Sequence, residues 1–315
     1  MAQLRIDVVI PAYNEEDFVS DVLWDVTAAK QSDWFRIENI YVISDASTDL
    51  TDDIVQQACR EDKRVKLVRK AVRKGKTDSI NKAISLTQAD VLVFIDADHR
   101  LGDKDALINL LRYFHEEQAA LVQGGLVRTR PGFTLNPVKY AAYFDWILAD
   151  KVRRQKPVSW WTISGSAMAL SRDFYQHLVL PLSQADDQFI FYTCIKEGRK
   201  FVWAKDAVFY YGASRSVKDF CNQWNRYYFY TNKSRQEFGR ELIDIEMRVP
   251  RLGRTIVSSI LRHPLCGLAW ALCYLVSRIY FRHSRYFEEW ERGIYGTTSA
   301  PLGIPSIRAV KDIIR

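Results

Sequence analysis

Four short apolar runs alternate with helical patterns in the first hundred residues. The runs lie at residues 6–10, 40–43, 65–68 and 91–95, and they are rich in β-branched and aromatic residues. Such runs are typical of strands buried on both faces of a sheet. Apolar residues recur at helical spacing between them, as in residues 18–26. Strands that alternate with helices indicate right-handed βαβ units.

The pattern is looser after residue 98. We expect helices over about 105–117, 137–153, 185–197 and 217–235, with strands at 201–203 and 207–210. Residues 120–127 predict a strand that paired glycines break, and residues 161–170 predict a strand whose small residues face a ligand or another backbone. The expected fold is α/β, with a mostly parallel central sheet flanked by helices.

The fourth apolar run leads directly into Asp96 and Asp98. Side chains alternate along a strand, so these two carboxylates project to the same side at its carboxyl end. In open α/β sheets this end is where ligands bind. The carboxylates would repel each other unless a cation lies between them, and their oxygens suit Mg²⁺ or Mn²⁺. The alternative is an Asp pair that caps the next helix or faces water.

Charge and cysteine usage narrow the functional class only slightly. The 315 residues carry a formal net charge of +7, which favours anionic partners such as phosphates or an acidic membrane surface. The five cysteines are scattered without a CxxC pair, as expected for free thiols in a reducing compartment. Neither GxGxxG nor GxxxxGK[ST] occurs, which disfavours a dinucleotide-binding protein and a P-loop ATPase. A strand pattern begins almost at once, so we expect no signal peptide.

Polar residues follow each predicted strand at its carboxyl end. In chain order they are Tyr13, Glu15, Asp45, Lys74, Lys76, Asp96 and Asp98. The carboxyl ends of parallel strands meet at one edge of a sheet, so these residues should gather there. A loop aromatic and a solvated lysine turn are the alternatives for the tyrosine and the lysines. Asp49 is equally well explained as an acid in the first turn of a helix and is left out of the site.

Seven short motifs occur in an order that resembles family 2 glycosyltransferases, which have a GT-A fold. They are VIPAYNEE (9–16), SDASTD (44–49), KGK (74–76) with Asn81, DAD (96–98), SGSAM (164–168), DD (186–187) and QWNRY (223–227). One such motif is weak evidence, whereas seven in register are strong. The resemblance covers roughly three quarters of the chain and implies a membrane-associated, inverting enzyme.

The resemblance implies a nucleotide-sugar site in the first half of the chain. Tyr13 and Asp45 would hold the base, with Asp45 accepting the N3 hydrogen of uracil, and Glu15 would reach the nucleoside. Asp96 and Asp98 would position the ribose and a Mg²⁺ or Mn²⁺ ion that bridges the diphosphate. Cationic groups there would stabilise the charge that grows on the leaving group. The implied donor-binding residues are Pro11, Tyr13, Glu15, Asp45, Lys76, Asp96 and Asp98.

Asp186 and Asp187 resemble the Glu-Asp motif of the family, whose second carboxylate is the catalytic base. An inverting transfer needs a base within hydrogen-bond reach of the acceptor hydroxyl. Asp187 fits this role, with Asp186 in support. The alternative is a helix N-terminus that carries two acids because the macrodipole favours them.

Gln223, Arg226 and Tyr227 share one face of a predicted helix. With Trp224, the set resembles the Gln-x-x-Arg-Trp motif of membrane polysaccharide synthases, although a tyrosine replaces the final tryptophan and leaves processivity open. Arg226 would pair with the diphosphate as a planar donor and is placed with the catalytic residues. Gln223, Trp224, Tyr227 and Trp161 would line the acceptor site. A core helix with amphipathic aromatics is the alternative.

Residues 248–287 contain seven arginines and no acid. The apolar run at 264–276 would be ~20 Å long as a helix, shorter than a hydrocarbon core of ~30 Å. Apolar helices flanked by arginines and aromatics suit an interfacial or re-entrant membrane contact, which anionic lipid would strengthen. The alternative is a helix that packs on the catalytic domain or forms a homo-oligomer interface.

We therefore predict a catalytic domain over 1–235, with a nucleotide-sugar half (1–99) and an acceptor half (100–235), and a helical, basic and apolar region over 236–315. The expected function is inverting, metal-dependent transfer from a nucleotide-diphosphate sugar, with UDP as first choice, to a lipid-linked or saccharide acceptor. It would serve cell-surface glycan or polysaccharide synthesis at the cytoplasmic face of the cell membrane, without nucleic acid. Alternatives are a processive synthase subunit with a membrane partner and a catalytically silent nucleotide-sugar-binding protein.

Overall fold

The computed structural model describes residues 3–283, which form two compact units. The first unit comprises the described residues up to Leu126 together with Ser164–Tyr211, and the second comprises Val127–Ile163 and 212–283. This division follows contacts within each unit, and the functional boundaries expected after residues 99 and 235 stay a prediction. Residues 284–315 of the expected C-terminal region lie outside the described residues.

Eight strands form one sheet among the described residues. They are β1 (Leu4–Ala12), β2 (Phe35–Ser44), β3 (Val65–Arg69), β4 (Val91–Phe94), β5 (His99–Leu101), β6 (Leu121–Val127), β7 (Met168–Ser171) and β8 (Phe201–Tyr211). Their order across the sheet is β3-β2-β1-β4-β7-β6-β8-β5. The place of β4 between β1 and β7 explains why the fourth apolar run has no polar face: all four residues of β4 are buried.

Eleven helices occur in the same part of the chain, numbered in chain order. They are α1 (Val19–Thr27), α2 (Thr51–Glu61), α3 (Lys76–Leu86), α4 (Ala106–Glu116), α5 (Pro137–Gln155), α6 (Arg172–Tyr175), α7 (Asp186–Lys196), α8 (Val217–Phe238), α9 (Arg240–Met247), α10 (Leu252–Arg262) and α11 (Pro264–His283). Strands and helices alternate through β4, which confirms the predicted α/β class.

The sheet is mixed, so the prediction of a mostly parallel sheet is wrong. β3, β2, β1 and β4 are parallel, as the βαβ pattern requires. β7 runs antiparallel to both β4 and β6, and β5 runs antiparallel to β8. The antiparallel strands all follow Asp98, where the sequence pattern loosens. The parallel half aligns strand ends, with Ala12 beside Ser44 and Val9 beside Phe94.

The strands of the antiparallel half differ from the predicted ones. β6 runs unbroken through Gly124 and Gly125, and these glycines allow the backbone of Ala167 and Lys205 to approach closely. A Cβ at Gly125 would lie 2.4 Å from the carbonyl oxygen of Lys205, and one at Gly124 would lie 3.0 Å from that of Ala167. The two short strands expected at 201–203 and 207–210 are one strand, β8. Of the strand expected at 161–170, only the end belongs to β7.

A buried ion pair fixes β5, the strand that follows the two predicted metal ligands. Asp25 of α1 is fully buried and accepts hydrogen bonds from Arg100 at Nε (2.7 Å) and Nη2 (2.8 Å) and from the amide of Leu101 (3.1 Å). Burial raises the pKa of Asp25, and the guanidinium opposes this shift. The pair ties β5 to α1 and so limits movement of the segment before it.

The second unit is helical in its described residues. Asn136 caps α5 by accepting a hydrogen bond from the amide of Val138 (3.0 Å), and proline occupies the first turn. α11 packs on α5 and α8 through a cluster that includes Ala269 and Cys273, both buried. It continues to His283, beyond the apolar run at 264–276. None of the helices within residues 3–283 has both the length and the hydropathy that a membrane span requires.

Candidate active site

The turns after β1 and β2 are bonded to each other. Asn14 has a left-handed backbone (φ 55°) and its side chain accepts a hydrogen bond from the amide of Thr48 (2.8 Å). The amide of Glu15 donates to Thr51 Oγ1 (2.8 Å), which in turn donates to Asp49 (2.6 Å). Asp49 therefore has a structural contact in this turn, and the strand ends that carry Tyr13 and Glu15 are held in place.

Asp45 holds the loop that leads into α3. Its carboxylate is almost fully buried and accepts hydrogen bonds from the amides of Lys74 (2.9 Å) and Gly75 (2.7 Å). Lys70 Nζ lies 2.6 Å from the same carboxylate. An ionised carboxylate offers about four acceptor sites, so the predicted bond to a uracil N3 hydrogen would be an additional contact. Pro11 lies within β1, paired with Ile43, rather than after it.

Arg73 stacks on the predicted base-binding tyrosine. Its guanidinium carbon lies 3.7 Å from the centroid of the Tyr13 ring, a close cation–π contact. Nothing in the sequence singles out Arg73, which is one of several basic residues between 69 and 76. Its position depends on Asp45, because the hydrogen bonds from the amides of Lys74 and Gly75 to that carboxylate fix the backbone next to Arg73.

Lys76 is the centre of the acidic cluster. Its Nζ lies 2.5 Å from Asp96 Oδ1, donates to the carbonyl oxygen of Gly165 at 2.6 Å and lies 3.8 Å from Asp186 Oδ2. Burial would lower the pKa of Lys76, but the carboxylates of Asp96 and Asp186 outweigh burial and raise it. The ammonium therefore stays protonated at neutral pH.

Asp186 and Asp187, the two acids at the start of α7, have different surroundings. Burial raises the pKa of Asp186, and the charge of Lys76 opposes this shift. Among the described residues, no group donates a hydrogen bond to its buried Oδ2. Asp187 Oδ1 accepts a hydrogen bond from the amide of Gln188 (2.7 Å), one of the first backbone donors of α7. The structure thus brings Asp186 to Lys76, which also contacts Asp96 after β4, while the role of Asp187 as base stays a prediction.

Asp96, Asp98 and His99 form a cluster that could hold a cation. One ligand atom from each lies within 4.8 Å of the other two, and the carboxylate oxygens suit Mg²⁺ or Mn²⁺. His99 was missed by sequence reasoning, and its only signal is its place directly after Asp98. Its ring contacts Asp98 Oδ1 through Nδ1 (2.8 Å) and Ser166 Oγ through Nε2 (2.7 Å).

Asn81 of the family motif makes structural contacts. Its side chain donates to the carbonyl oxygen of Leu180 (2.8 Å) and accepts from the amide of the same residue (2.9 Å). These two bonds tie α3 to the segment that precedes α7. Asn81 therefore supports the part of the chain that carries Asp186 and Asp187.

The predicted acceptor residues of α8 lie together in the second unit. Gln223 Nε2 donates to the hydroxyl of Tyr227 one turn later (2.9 Å). The Trp224 ring meets the Tyr227 ring edge-on at 6.0 Å and that of Tyr274 of α11 at 4.9 Å. Part of the Trp224 surface is thus used in packing. Arg226 is half-buried on the same helix, and the roles of these residues toward substrate stay predictions.

Trp161 also belongs to the second unit. Its indole nitrogen donates to the carbonyl oxygen of Met247 (3.3 Å), and its ring meets that of Trp160 edge-on at 5.1 Å. Trp160 in turn lies 6.1 Å from the Tyr227 ring. Aromatic contacts are therefore continuous from Trp161 through Trp160 to Tyr227 of α8. Such continuity fits both the predicted acceptor site and the alternative of a packed core.

Bacterial proteins named as glycosyltransferases are among the sequence relatives of this chain. A Bacillus subtilis (strain 168) protein named for teichuronic acid biosynthesis, TuaG, is 30% identical over 115 residues, covering 36% of this chain and 44% of that protein. The poly(ribitol-phosphate) beta-glucosyltransferase of Bacillus spizizenii is 29% identical over 127 residues, covering 39% and 19%. The chain thus spans less than half the length of these relatives.

Solved structures of similar fold support the architecture. The mannosyltransferase PcManGT of Pyrobaculum calidifontis, solved with GDP-mannose and Mn²⁺, superposes with a TM-score of 0.59 at 16% identity, covering 93% of this chain and 84% of that one. Residues 1–349 of TarS from S. aureus, solved with UDP, give a TM-score of 0.53 at 15% identity, covering 91% and 74%. At these identities the likeness concerns the fold, which is α/β and GT-A-like.

The family assignment rests on a match along the sequence. The model of glycosyl transferase family 2 matches residues 7–179, more than half of the chain. This range includes β2, β3, β4 and most of β1, together with Lys76, Asp96 and Asp98. The chain belongs to glycosyl transferase family 2.

Proposed function

We propose that the protein transfers a sugar, with inversion, from a nucleotide-diphosphate donor to a lipid-linked or saccharide acceptor in cell-surface glycan or polysaccharide synthesis. The observation that carries the proposal is that the protonated Lys76 lies between Asp96 and Asp186, while Asp98 lies close enough to Asp96 to share a cation with it. Relatives named for teichuronic acid and poly(ribitol-phosphate) polymers support the substrate class.

Asp96 and Asp98 would hold Mg²⁺ or Mn²⁺. Their oxygens lie close enough to share one cation and are the ligand type that both ions prefer. When bound, the ion would neutralise charge on the diphosphate. Lys76 contributes a fixed positive charge beside Asp96, so it can stabilise the same leaving group without a proton transfer.

The transfer itself is a single displacement. The acceptor hydroxyl oxygen attacks the anomeric carbon, and the bond between that carbon and the phosphate oxygen breaks. The nucleoside diphosphate leaves with the electron pair, and Asp187 takes the proton of the acceptor hydroxyl. A carboxylate serves as such a base when it lies within hydrogen-bond reach of that hydroxyl. Asp186 supports the site by its contact with Lys76.

The base of the donor would stack on the Tyr13 ring, whose one face Arg73 covers in the structure. UDP is our first choice, and GDP is its competitor because a structural neighbour was solved with GDP-mannose. Either base offers a π-face to an aromatic ring and a guanidinium. The buried Asp45 carboxylate, which also accepts the amides of Lys74 and Gly75, would accept the N3 hydrogen of uracil.

A donor panel tests the proposal. The purified protein is incubated with UDP- and GDP-sugars and Mn²⁺ or Mg²⁺, and nucleotide release is measured. We expect Asp187→Asn to lower kcat by about 10²- to 10⁴-fold with little change in nucleotide affinity. Asp98→Ala should abolish metal-dependent release, and the exposed Asp53→Asn on α2 serves as control.

The outcomes also separate the alternatives. Absence of release with every donor, together with UDP or GDP binding, would identify a silent nucleotide-sugar-binding protein. Long products on a gel would identify a processive synthase subunit. Release that survives Asp98→Ala and Asp187→Asn unchanged would contradict the proposed site.

An exposed apolar stripe on α11 supports membrane contact as part of the proposal. Ala269, Cys273 and Ser277 face inward and are buried. The opposite face carries side chains at a spacing of three or four residues, which places them on one side of a helix. They are 55–73% exposed: Leu265, Leu268, Leu272, Leu275 and Ile279.

The stripe favours a lipid surface because its surroundings are basic. Val257 and Leu261 of α10 are also exposed, and the helices contain arginines but no acid. Burying each large aliphatic side chain contributes about 1.5–3 kcal/mol, and each basic residue near anionic lipid contributes about 1 kcal/mol. We place this contact at the cytoplasmic face of a cell membrane, as a peripheral or monotopic attachment.

Vesicle flotation tests the contact. The protein should float with vesicles that contain phosphatidylglycerol more than with phosphatidylcholine alone. A double variant, Leu268→Glu with Leu272→Glu, should remain in solution, whereas Val179→Glu, at a site 79% exposed in the first unit, should float. Loss of a dimer in light scattering, without any lipid effect, would instead identify an oligomer interface.

A further inference from the structure

A relay of hydrogen bonds ends on the predicted metal ligand Asp98. His99 is 5% exposed, and its Nδ1 lies 2.8 Å from Asp98 Oδ1. Its Nε2 lies 2.7 Å from Ser166 Oγ, and Ser166 is also buried. Both ring nitrogens therefore have partners, and each partner lies within the first unit.

The partners fix the proton positions. An ionised carboxylate only accepts hydrogen bonds, so the proton of a neutral imidazole is on Nδ1 and points to Asp98. The other nitrogen then carries a lone pair, which accepts the hydroxyl hydrogen of Ser166. The Tyr211 ring stacks on the imidazole, with centroids 5.7 Å apart and planes 13° apart, and so restricts its rotation.

Ser166 is held by a buried glutamine. Gln123 is fully buried, and its Nε2 donates to the carbonyl oxygens of Ser166 (2.9 Å) and Ala167 (3.2 Å). Its Oε1 accepts the amide of Ser164 (3.0 Å). Ala167 has a left-handed backbone (φ 51°), a strained conformation for a residue with a Cβ. The glutamine thus holds the loop in the form that presents the serine hydroxyl to the ring.

We propose that His99 is a positioning residue for Asp98 and does not itself ligate the divalent ion. A histidine ligand must aim a lone pair at the metal, and the lone pair of His99 is used by Ser166. The Nδ1–H group holds Oδ1 of Asp98 and so orients the carboxylate that would bind the cation. Carboxylates that bind metals are commonly oriented by such neighbours, whose removal weakens metal affinity about 10- to 100-fold.

The inference rests on the proposed metal-dependent function and extends it to the Asp98–His99–Ser166 relay. Mn²⁺ binding, alone and with UDP, is measured by electron paramagnetic resonance in the whole protein. His99→Leu should weaken Mn²⁺ about 10- to 100-fold, and Ser166→Ala should weaken it by less. His99→Asn, whose amide can donate at the position of Nδ1, should restore much of the affinity.

Pulsed resonance separates a positioning role from a ligand. In protein labelled with ¹⁵N-histidine, bound Mn²⁺ should show no directly coordinated nitrogen. A coordinated histidine nitrogen that disappears in His99→Leu would overturn the inference and leave the proposed function standing, as would unchanged affinity in His99→Leu. No Mn²⁺ binding by the wild type, with or without UDP, would overturn both. If His99→Leu does not fold, Ser166→Ala with unchanged Mn²⁺ affinity would overturn it.

Discussion

Gly165 lies where a single methyl group would disturb the acidic cluster. A Cβ at this position would lie 2.9 Å from Asp186 Oδ2 and 3.1 Å from Lys76 Nζ, whereas ordinary contacts begin at 3.4 Å. Asp186 would have to move by about half an ångström, as the difference between these distances requires. The lysine can yield because its side chain is flexible, but the carboxylate is buried in the first turn of α7.

Gly165→Ala should therefore affect activity more than stability. Displacements of this order in a catalytic constellation can lower the rate by about 10- to 100-fold. Overpacking costs about 1–3 kcal/mol, partly offset by about 0.4–1 kcal/mol from the less flexible unfolded chain. We expect a loss of about 2 kcal/mol or less in the free energy of unfolding.

The assay combines nucleotide release with urea unfolding. Gly132→Ala is the matched control, because a Cβ there would meet nothing within 4 Å. The control should retain wild-type turnover and stability. If Gly165→Ala turns over as fast as Gly132→Ala, the contact of Gly165 with Asp186 and Lys76 has no catalytic consequence and our reasoning is refuted.

Three further predictions follow from buried groups. Asp25→Ala leaves the Arg100 guanidinium without its buried partner and should lower the free energy of unfolding in urea by about 3–5 kcal/mol. Asp21→Ala removes an exposed partner of the same arginine and should lower it by less than about 1 kcal/mol. Equal losses would contradict the assigned burial. Lys76→Met removes an ammonium group that competes with Mn²⁺ for Asp96, so it should bind Mn²⁺ more tightly in calorimetry and yet turn over more slowly. Unchanged Mn²⁺ affinity would argue against a site that the lysine and the ion share. Burial raises the pKa of Cys194 to about 12, so the stability that the buried neutral thiol contributes is lost as the pH rises from 9 toward 12. Iodoacetamide at pH 8.5 should label this thiol only in urea, as read by mass spectrometry. Rapid labelling of the folded protein would contradict this.

The parallel half of the sheet could be predicted because its signals are local. Buried parallel strands are continuous apolar runs, and their polar ends meet at one edge. This reasoning selected Lys76 and Asp96, which lie 2.5 Å apart in the structure. It also selected Asp186 from a motif, and the structure brings that acid to the same lysine.

Contacts between distant residues could not be predicted from local pattern. Ser166 is 67 residues from His99 along the chain, and 43 residues from Gln123. The strand expected at 161–170 fails for the same reason, since Gln123 takes the backbone carbonyls of that segment and Ala167 is left-handed.

The apolar run at 264–276 is shorter than α11 for a different reason. The apolar run ends at Val276, but the helix continues because Arg278 lies on its exposed side, where a charged side chain costs little. Hydropathy marks the buried or membrane-facing part of such a helix, whereas backbone hydrogen bonds continue through charged positions. Apolar runs therefore underestimate the length of an exposed helix.

Crystals grown with Mn²⁺ and the nucleotide of the active donor would test the central claim most directly. We predict an anomalous difference peak for a Mn²⁺ ion that Asp96 and Asp98 bind. The diphosphate should lie beside Lys76, and no histidine nitrogen should contact the ion. A nucleotide bound elsewhere, with no anomalous peak at these carboxylates, would contradict the donor site.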